Sequence, residues 1–347
     1  MEYAIDRCER DILAGLTATG LVPEEALTVE EPKAGIAADL TFAAFGVARE
    51  LGVPPPQLAT EIAERLRFEP GSLAGTATAA GPYVNVSVDP ERFTGAVLED
   101  IARGGDRYGH DDVGAGQSIV IDYSSPNIAK RMHAGHIRST IIGQALVNML
   151  SALGYRVIRD NHIGDWGKSF GVLLAAIERE GYPAGDGELL LAALEDLYAL
   201  QSALIAQDPE QDARAREWSL RLERGDPEAR RIWQEIVDLT LAINQTSYDR
   251  LGVSFDHVHG ESFYEPMLAE VIDDALASGA ATRDPSGAVV VDAGEGLPTF
   301  LLQRSDGGTL YHTRDVATAR YRVHEFQPAK VLYVIGAPQE LYLRQLF

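Results

Sequence analysis

Cysteine is almost absent from this 347-residue chain, and Cys8 alone excludes an internal disulfide and any cysteine-built zinc cluster. Cys8 shares an apolar helical face with Ile5, Ile12 and Leu16, so a buried structural thiol is expected rather than a reactive one. Lysine is scarce as well: Lys33, Lys130, Lys168 and Lys330 are the only four in a Lys+Arg total of 30. No apolar run approaches the roughly 20 residues of a membrane span, and the opening MEYAIDRCERDIL is charged and amphipathic, unlike a secretory signal. A cytoplasmic protein with no membrane partner is expected. Positive charge is short throughout: the net charge is −22, and residues 1–117, with 9 Lys+Arg against 20 Asp+Glu, carry half of it. With no basic footprint, any nucleic-acid partner must be met by local patches, and a soluble enzyme for small molecules stays open. A hydrophobic content of 46% suffices for a large core and two domains.

What the chain does hold is concentrated between Gln117 and Ser139. The β-branched run Ile119-Val120-Ile121 gives way to Ser124, Ser125, Pro126 and Asn127, then to His133-Ala134-Gly135-His136 and the amphipathic pattern of Ile137 to Leu153. That order reads as buried strand, tight loop and helix. Helix starts collect anions through unpaired N–H groups and the positive end of the dipole. Two imidazoles flanking a glycine suit a nucleotide phosphate there, and Lys130 supplies a compact positive arm. A bare HxGH string is weak, because such histidines also serve as surface or cap residues.

Around this core, helices are expected at Ile5–Ile12, Leu40–Leu51, Leu58–Leu66 and Pro90–Arg103, and a half-exposed strand at Tyr83–Val88. Pro54-Pro55-Pro56 reads as a rigid connector, and residues 106–116 as a linker. A second strand, Tyr155–His162, should deliver the turn Gly164-Asp165-Trp166-Gly167, where glycines admit a ligand to the backbone and Trp166 anchors the core. Long helices follow to Leu251, then a short strand over Val253–Gly260 and a helix to Ser278. Short strands are expected at Ala288–Val291, Thr299–Gln303 and Thr309–His312, a helix starting at Tyr311–Asp315, and a buried strand at Val331–Ile335.

The strings DYSSPNIAK, HAGH, NHIGDWG and SDGGTLYHTRDVATARYR together resemble the arginyl-tRNA synthetases, a class I family with a Rossmann-type catalytic domain. The resemblance implies an α/β fold. A small α+β amino-terminal domain (1–115) is expected to touch the tRNA elbow, followed by a parallel-sheet catalytic domain (116–347) with a helical and β insertion at about 185–300. It implies ATP-dependent activation of L-arginine to arginyl-adenylate, and transfer to tRNA(Arg), with Mg2+ arriving on the substrate phosphates. Lys130, His133 and His136 would be catalytic, with Gly135, Gly164 and Asp165 also lining the ATP site. Glu261, Tyr311 and Asp315 would hold the guanidinium, Ser125, Asn127 and Gln339 the α-amino and carboxylate end, and Asp122 would add negative potential. Tyr83 and Asn85 would meet tRNA bases, although sheet packing explains them as well.

Three departures stand out: Arg131 where the family has Pro, Tyr342 where it often has His, and a sequence matching only the front part of a full enzyme. The chain is thus expected to lack a carboxy-terminal part, and a monomer is expected. Two alternatives remain: a truncated paralogue binding arginine, ATP or tRNA without catalysis, and a nucleotidyltransferase sharing HxGH.

Overall fold

Residues 2–294 and 296–347 are described by a computed structural model, in which the chain divides into two units, Met1–Asp111 and Asp112–Phe347. Among the described residues no helix is long and apolar enough to cross a membrane.

The first unit runs α1 (Ala4–Ala18), β1 (Leu40–Ala43), α2 (Phe45–Leu51), α3 (Pro55–Arg65), β2 (Ala74–Ala80), β3 (Tyr83–Val88) and α4 (Pro90–Gly104). The strands form an antiparallel sheet in the order β1-β3-β2. Alternation on β3 sends Val84 and Val86 into a core with Cys8, Ile12, Leu16, Phe42 and Ile62, and leaves Tyr83 and Asn85 half-buried on the other face. The helix expected from Leu40 is corrected: Leu40–Ala43 is a strand, registered Leu40 on Val86 and Phe42 on Val84. Its apolar spacing suits either period, and pairing with β3 decides. The proline triplet does not merely connect: Pro55 and Pro56 open α3, where a missing N–H costs nothing.

The second unit begins with Gly114 and Gly116 donating backbone bonds to Leu153 and Gly154. Its elements are β4 (Ser118–Asp122), α5 (Ala134–Ala152), β5 (Arg156–Ile163), α6 (Lys168–Glu180), α7 (Gly187–Ile205), α8 (Pro209–Glu223), α9 (Pro227–Leu251) and β6 (His257–Gly260). A 3-10 turn, Glu261–Met267, leads to α10 (Leu268–Ser278), β7 (Ala281–Arg283), β8 (Val289–Val291), β9 (Phe300–Gln303), α11 (Tyr311–Phe326), β10 (Lys330–Tyr333) and α12 (Glu340–Leu346). Four strands form an all-parallel sheet in the order β10-β4-β5-β6. The chain moves outward from β4 through β5 to β6 and returns on the far side of β4 as β10. The crevice between the carboxyl ends of β4 and β10 is therefore the switch point where such sheets bind ligands.

Helices α6 to α9 share one core with Ile128, Ala129, Ile163 and Trp166 from the loops at that edge, so the helical insertion packs on the sheet. Three helices, α7 to α9, fill it, each of α8 and α9 opened by an Asp cap and a proline. The β part of the insertion is an antiparallel sheet β7-β8-β9, of which β7 went unread in the sequence. The strand expected at Thr309–His312 is corrected to a single bridge, Gln303 to Thr309, because α11 already begins at Tyr311.

Candidate active site

The loop from Tyr123 to Met132 is strained where it leaves the sheet: Ser124, Ser125 and Ala129 all have positive φ without being glycine. Hydrogen bonds hold that conformation. Ser124 Oγ lies 2.7 Å from the Tyr248 hydroxyl, Thr140 donates to Ser124 at 2.8 Å, and the Ser125 N–H donates to Asn161 Oδ1 at 3.0 Å. Ser139 accepts from the Ser124 N–H and donates to the Val334 carbonyl, which draws the start of α5 over the crevice between β4 and β10.

His133 caps α5, its Nδ1 accepting the Gly135 N–H at 3.0 Å, while His136 Nδ1 accepts the His133 N–H at 3.3 Å. The two rings stack with centroids 3.9 Å apart. A side chain at Gly135 would fall 2.8 Å from the His133 ring, so glycine makes room here for the capping imidazole itself. Because both Nδ1 atoms accept, each neutral ring carries its proton on Nε2. Burial, with help from His133 and Lys130, lowers the His136 pKa, so this ring acts at neutral pH as a hydrogen-bond donor rather than as a cation. Lys130 rests over the Tyr198 ring of α7, 4.8 Å from its centroid. Arg131, the departure from the family's proline, has its own use: its N–H and Nε both donate to Glu195.

Asp122 and Asp160 are registered side by side on β4 and β5. Between them lies the fully buried Arg322 of α11, donating to Asp160 at 2.7 Å and to Asp122 at 2.8 Å. The other Asp122 oxygen accepts from Ser125 Oγ at 2.9 Å. Asp122 is thus bonded to an internal guanidinium and to the loop, while its negative charge still acts on Asp315 and His162. Sequence reasoning missed Arg322. The one available signal was its place two helical turns after Asp315, on the same face.

Glu261 and Asp315 differ. Burial pushes the Glu261 carboxyl up to about 7 and the Asp315 carboxyl up to about 6. Arg314 commits its Nε to Glu265 at 2.8 Å and reaches Glu261 only at 3.8 Å. Asp315 accepts from the Tyr342 hydroxyl and lies 3.8 Å from His162 Nε2, whose ring burial keeps neutral. Tyr342 thus adjoins these carboxylates, and Tyr311, more than half exposed, stands 5.3 Å from the Tyr342 ring. Carboxylates beside rings are what a planar cation requires. Among the described residues no cluster of three metal-ligating side chains occurs.

The remaining expected residues are placed as follows. Asn127 pairs its backbone with Gly164, and the Asn127 amide oxygen fills the space beside that glycine. Asp165 is buried, with both carboxylate oxygens occupied by Ser262. Gln339 follows β10 in an exposed turn and accepts the Gly336 N–H at 3.3 Å. Trp166 is buried against Trp233, as a core anchor should be. In the first unit, Asn85 accepts from Thr41 at 2.8 Å and Tyr83 meets Phe45 edge to face, on one face of β3. A wide concavity of about 800 Å³ opens beside Tyr333, Gly336 and Leu343. None of the expected ligand-holding side chains lines it.

Two family models match: "tRNA synthetases class I (R), catalytic domain" over residues 100–347, and "Arginyl tRNA synthetase N terminal domain" over residues 7–88. The arginine–tRNA ligase of Chloroflexus aggregans is 54% identical over all 347 residues, and that of Lactococcus lactis subsp. lactis is 40% identical over 329. The chain spans 60% and 57% of the length of these two curated relatives. The crystal structure of arginyl-tRNA synthetase from Plasmodium falciparum matches with a TM-score of 0.72 at 22% identity, covering 98% of this chain and 61% of that one. The Thermus thermophilus arginyl-tRNA synthetase matches at 0.62 and 24%, covering 91% and 52%; at such identities the likeness concerns the fold. Sequence and fold agree that the chain belongs to the arginyl-tRNA synthetase family of class I tRNA synthetases.

Proposed function

We propose that the complete protein is an arginine–tRNA ligase, which activates L-arginine with ATP and passes it to tRNA(Arg). The observation that carries this reading is the pair Glu261 and Asp315: half-buried carboxylates near Tyr342, neither hydrogen-bonded to a guanidinium, with Arg314 reaching Glu261 only at 3.8 Å. An incoming guanidinium would supply the missing charge. Ser125, Asn127 and Gln339 would meet the α-amino and carboxylate end at the switch-point crevice.

The arginine carboxylate attacks the α-phosphate of ATP, the bond to the β-phosphate breaks and pyrophosphate leaves; the 3′-terminal ribose hydroxyl of tRNA then takes the arginyl group and AMP departs. The protein's part is positioning and stabilisation of phosphate charge. His133 and His136 donate from Nε2, Lys130 swings from Tyr198 to the phosphates, and the backbones of Gly135 and Gly164 lie along the nucleotide. Mg2+ enters with ATP as part of the substrate. Tyr83 and Asn85 would contact tRNA from their open sheet face. A cytoplasmic monomer belongs to the same reading.

Calorimetric titration tests it: L-arginine should bind and citrulline, its neutral isostere, should bind at least about 10-fold more weakly. Equal affinity would remove the proposal. In ATP–pyrophosphate exchange on the complete protein with tRNA present, His136→Ala should lower the rate by about 100-fold or more.

A further inference from the structure

The turn Gly164-Asp165-Trp166-Gly167 follows β5 at the ligand-binding edge, where an exposed aspartate would invite a ribose or a phosphate-bound metal. Asp165 is not exposed: 3% of its surface reaches solvent. Its Oδ1 accepts the Ser262 N–H at 2.9 Å and its Oδ2 accepts the Ser262 hydroxyl at 2.6 Å. The strand residue before Glu261 leaves no space around it, since a Cβ on Gly260 would lie 2.1 Å from Asp165 Oδ2. The Asp165 carbonyl in turn accepts Trp233 Nε1 at 2.7 Å, tying the turn to α9. Bonded at both oxygens and 3% exposed, this carboxylate faces Ser262 rather than a nucleotide.

What the contact does is set by chain order. Ser262 directly follows Glu261 in the 3-10 turn, so fixing the Ser262 N–H fixes the backbone from which the Glu261 side chain extends. Without it, Glu261 would hang from β6, a four-residue edge strand. On its other side the turn is held by the ATP-side loop: Ile128 N–H donates to the Gly164 carbonyl at 3.0 Å, and Gly164 N–H to the Pro126 carbonyl at 3.1 Å. Two consecutive residues thus join the loop leading to the histidines, through backbone, to the arginine-side carboxylate, through a side chain.

We infer that Asp165 is a positioning residue for arginine, latching Ser262 so that Glu261 stands where a guanidinium can reach it. The inference rests on the reading of Glu261 as a guanidinium ligand.

The test is steady-state exchange kinetics on the complete protein with tRNA, comparing Asp165→Ala, Asp165→Asn, Ser262→Ala and the double variant Asp165→Ala/Ser262→Ala. Asp165→Ala should raise KM for arginine about 10- to 100-fold and leave KM for ATP within about 2-fold, the scale of lost buried charge-assisted hydrogen bonds. Asp165→Asn should recover most of that loss, because an amide can accept the Ser262 N–H while donating to its hydroxyl oxygen. The double variant should be no worse than Asp165→Ala. A raised KM for ATP with unchanged KM for arginine would overturn the inference and make Asp165 a nucleotide ligand. Equal damage from Asn and Ala would overturn it by showing that charge, not geometry, is used. If Asp165→Ala does not fold, Asp165→Ser, which keeps a polar group in the buried turn but is too short to reach Ser262, decides in its place: an unchanged KM for arginine overturns the latch. Failure of the underlying reading shows separately, as Glu261→Gln leaving KM for arginine untouched.

Discussion

Two pairs of carboxylates occupy the second unit and are treated oppositely. Asp122 and Asp160 on adjacent strands enclose Arg322, a cation the chain brings from α11. Glu261 and Asp315 accept no hydrogen bond from a guanidinium, Arg314 standing 3.8 Å from Glu261 with its Nε given to Glu265, and burial holds both above the ordinary carboxylate range. The first arrangement is complete without a ligand and is structural. The second is an unfinished ion pair, destabilising until a cation arrives, and therefore suited to reading one. An acidic residue near a site says little until its counter-charge is found.

The largest effect should come from breaking the completed pair. Arg322→Met leaves two adjacent acids with nothing between them, Asp160 being almost fully buried. The loss of a buried partner costs about 3–5 kcal/mol, which urea denaturation would register as a large drop in midpoint. A loss below about 1 kcal/mol would mean that the pairing contributes little and that the contrast fails. Breaking the unfinished pair should do the reverse: Glu261→Gln or Asp315→Asn should weaken arginine binding by about 10- to 100-fold while leaving the protein no less stable at neutral pH. Calorimetric titration and thermal unfolding of the same samples separate the two outcomes.

The contrast explains what could be read from sequence. The strand, loop and helix around HAGH were legible because a β-branched run, polar turn residues and a new apolar period follow one another locally. Glu261, Tyr311 and Asp315 could be named as candidates from short strings. Arg322 was not, because an arginine midway along a charged helix reads as solvated. Its partners lie 162 and 200 residues away. Leu40–Ala43 failed for the same reason on a smaller scale: the partner β3 that makes it a strand comes more than forty residues later. The capping use of both histidine Nδ1 atoms and the occupation of Asp165 by Ser262 are likewise properties of folded geometry.

Proton linkage gives a subtler means of separating the pairs. With Glu261 near 7 and Asp315 near 6, a guanidinium binds best once both have ionised, so arginine affinity should rise by about 10-fold or more from about pH 5 to about pH 8. Binding near neutrality should release protons, seen as a buffer-dependent heat. Stability of the unliganded protein should run the other way. Groups raised on folding favour the folded state most at low pH, below their ordinary values near 4, and that contribution is lost as pH rises through 6 to 7. Glu261→Gln should flatten both trends, and a flat wild-type profile would mean that the two acids are already neutralised.

The smallest effect tests the one donor that the unfinished pair does possess. Tyr342 donates its hydroxyl proton to Asp315, and this bond is the chief influence lowering a carboxyl that burial raises. Tyr342→Phe keeps the ring beside Tyr311 and removes the donor, so Asp315 should titrate higher and need a higher pH to accept a cation. Arginine affinity should fall by only about 2- to 10-fold at neutral pH, the worth of one ordinary hydrogen bond, and recover at about pH 8. A loss that persists at high pH would assign Tyr342 to the substrate itself instead of to Asp315.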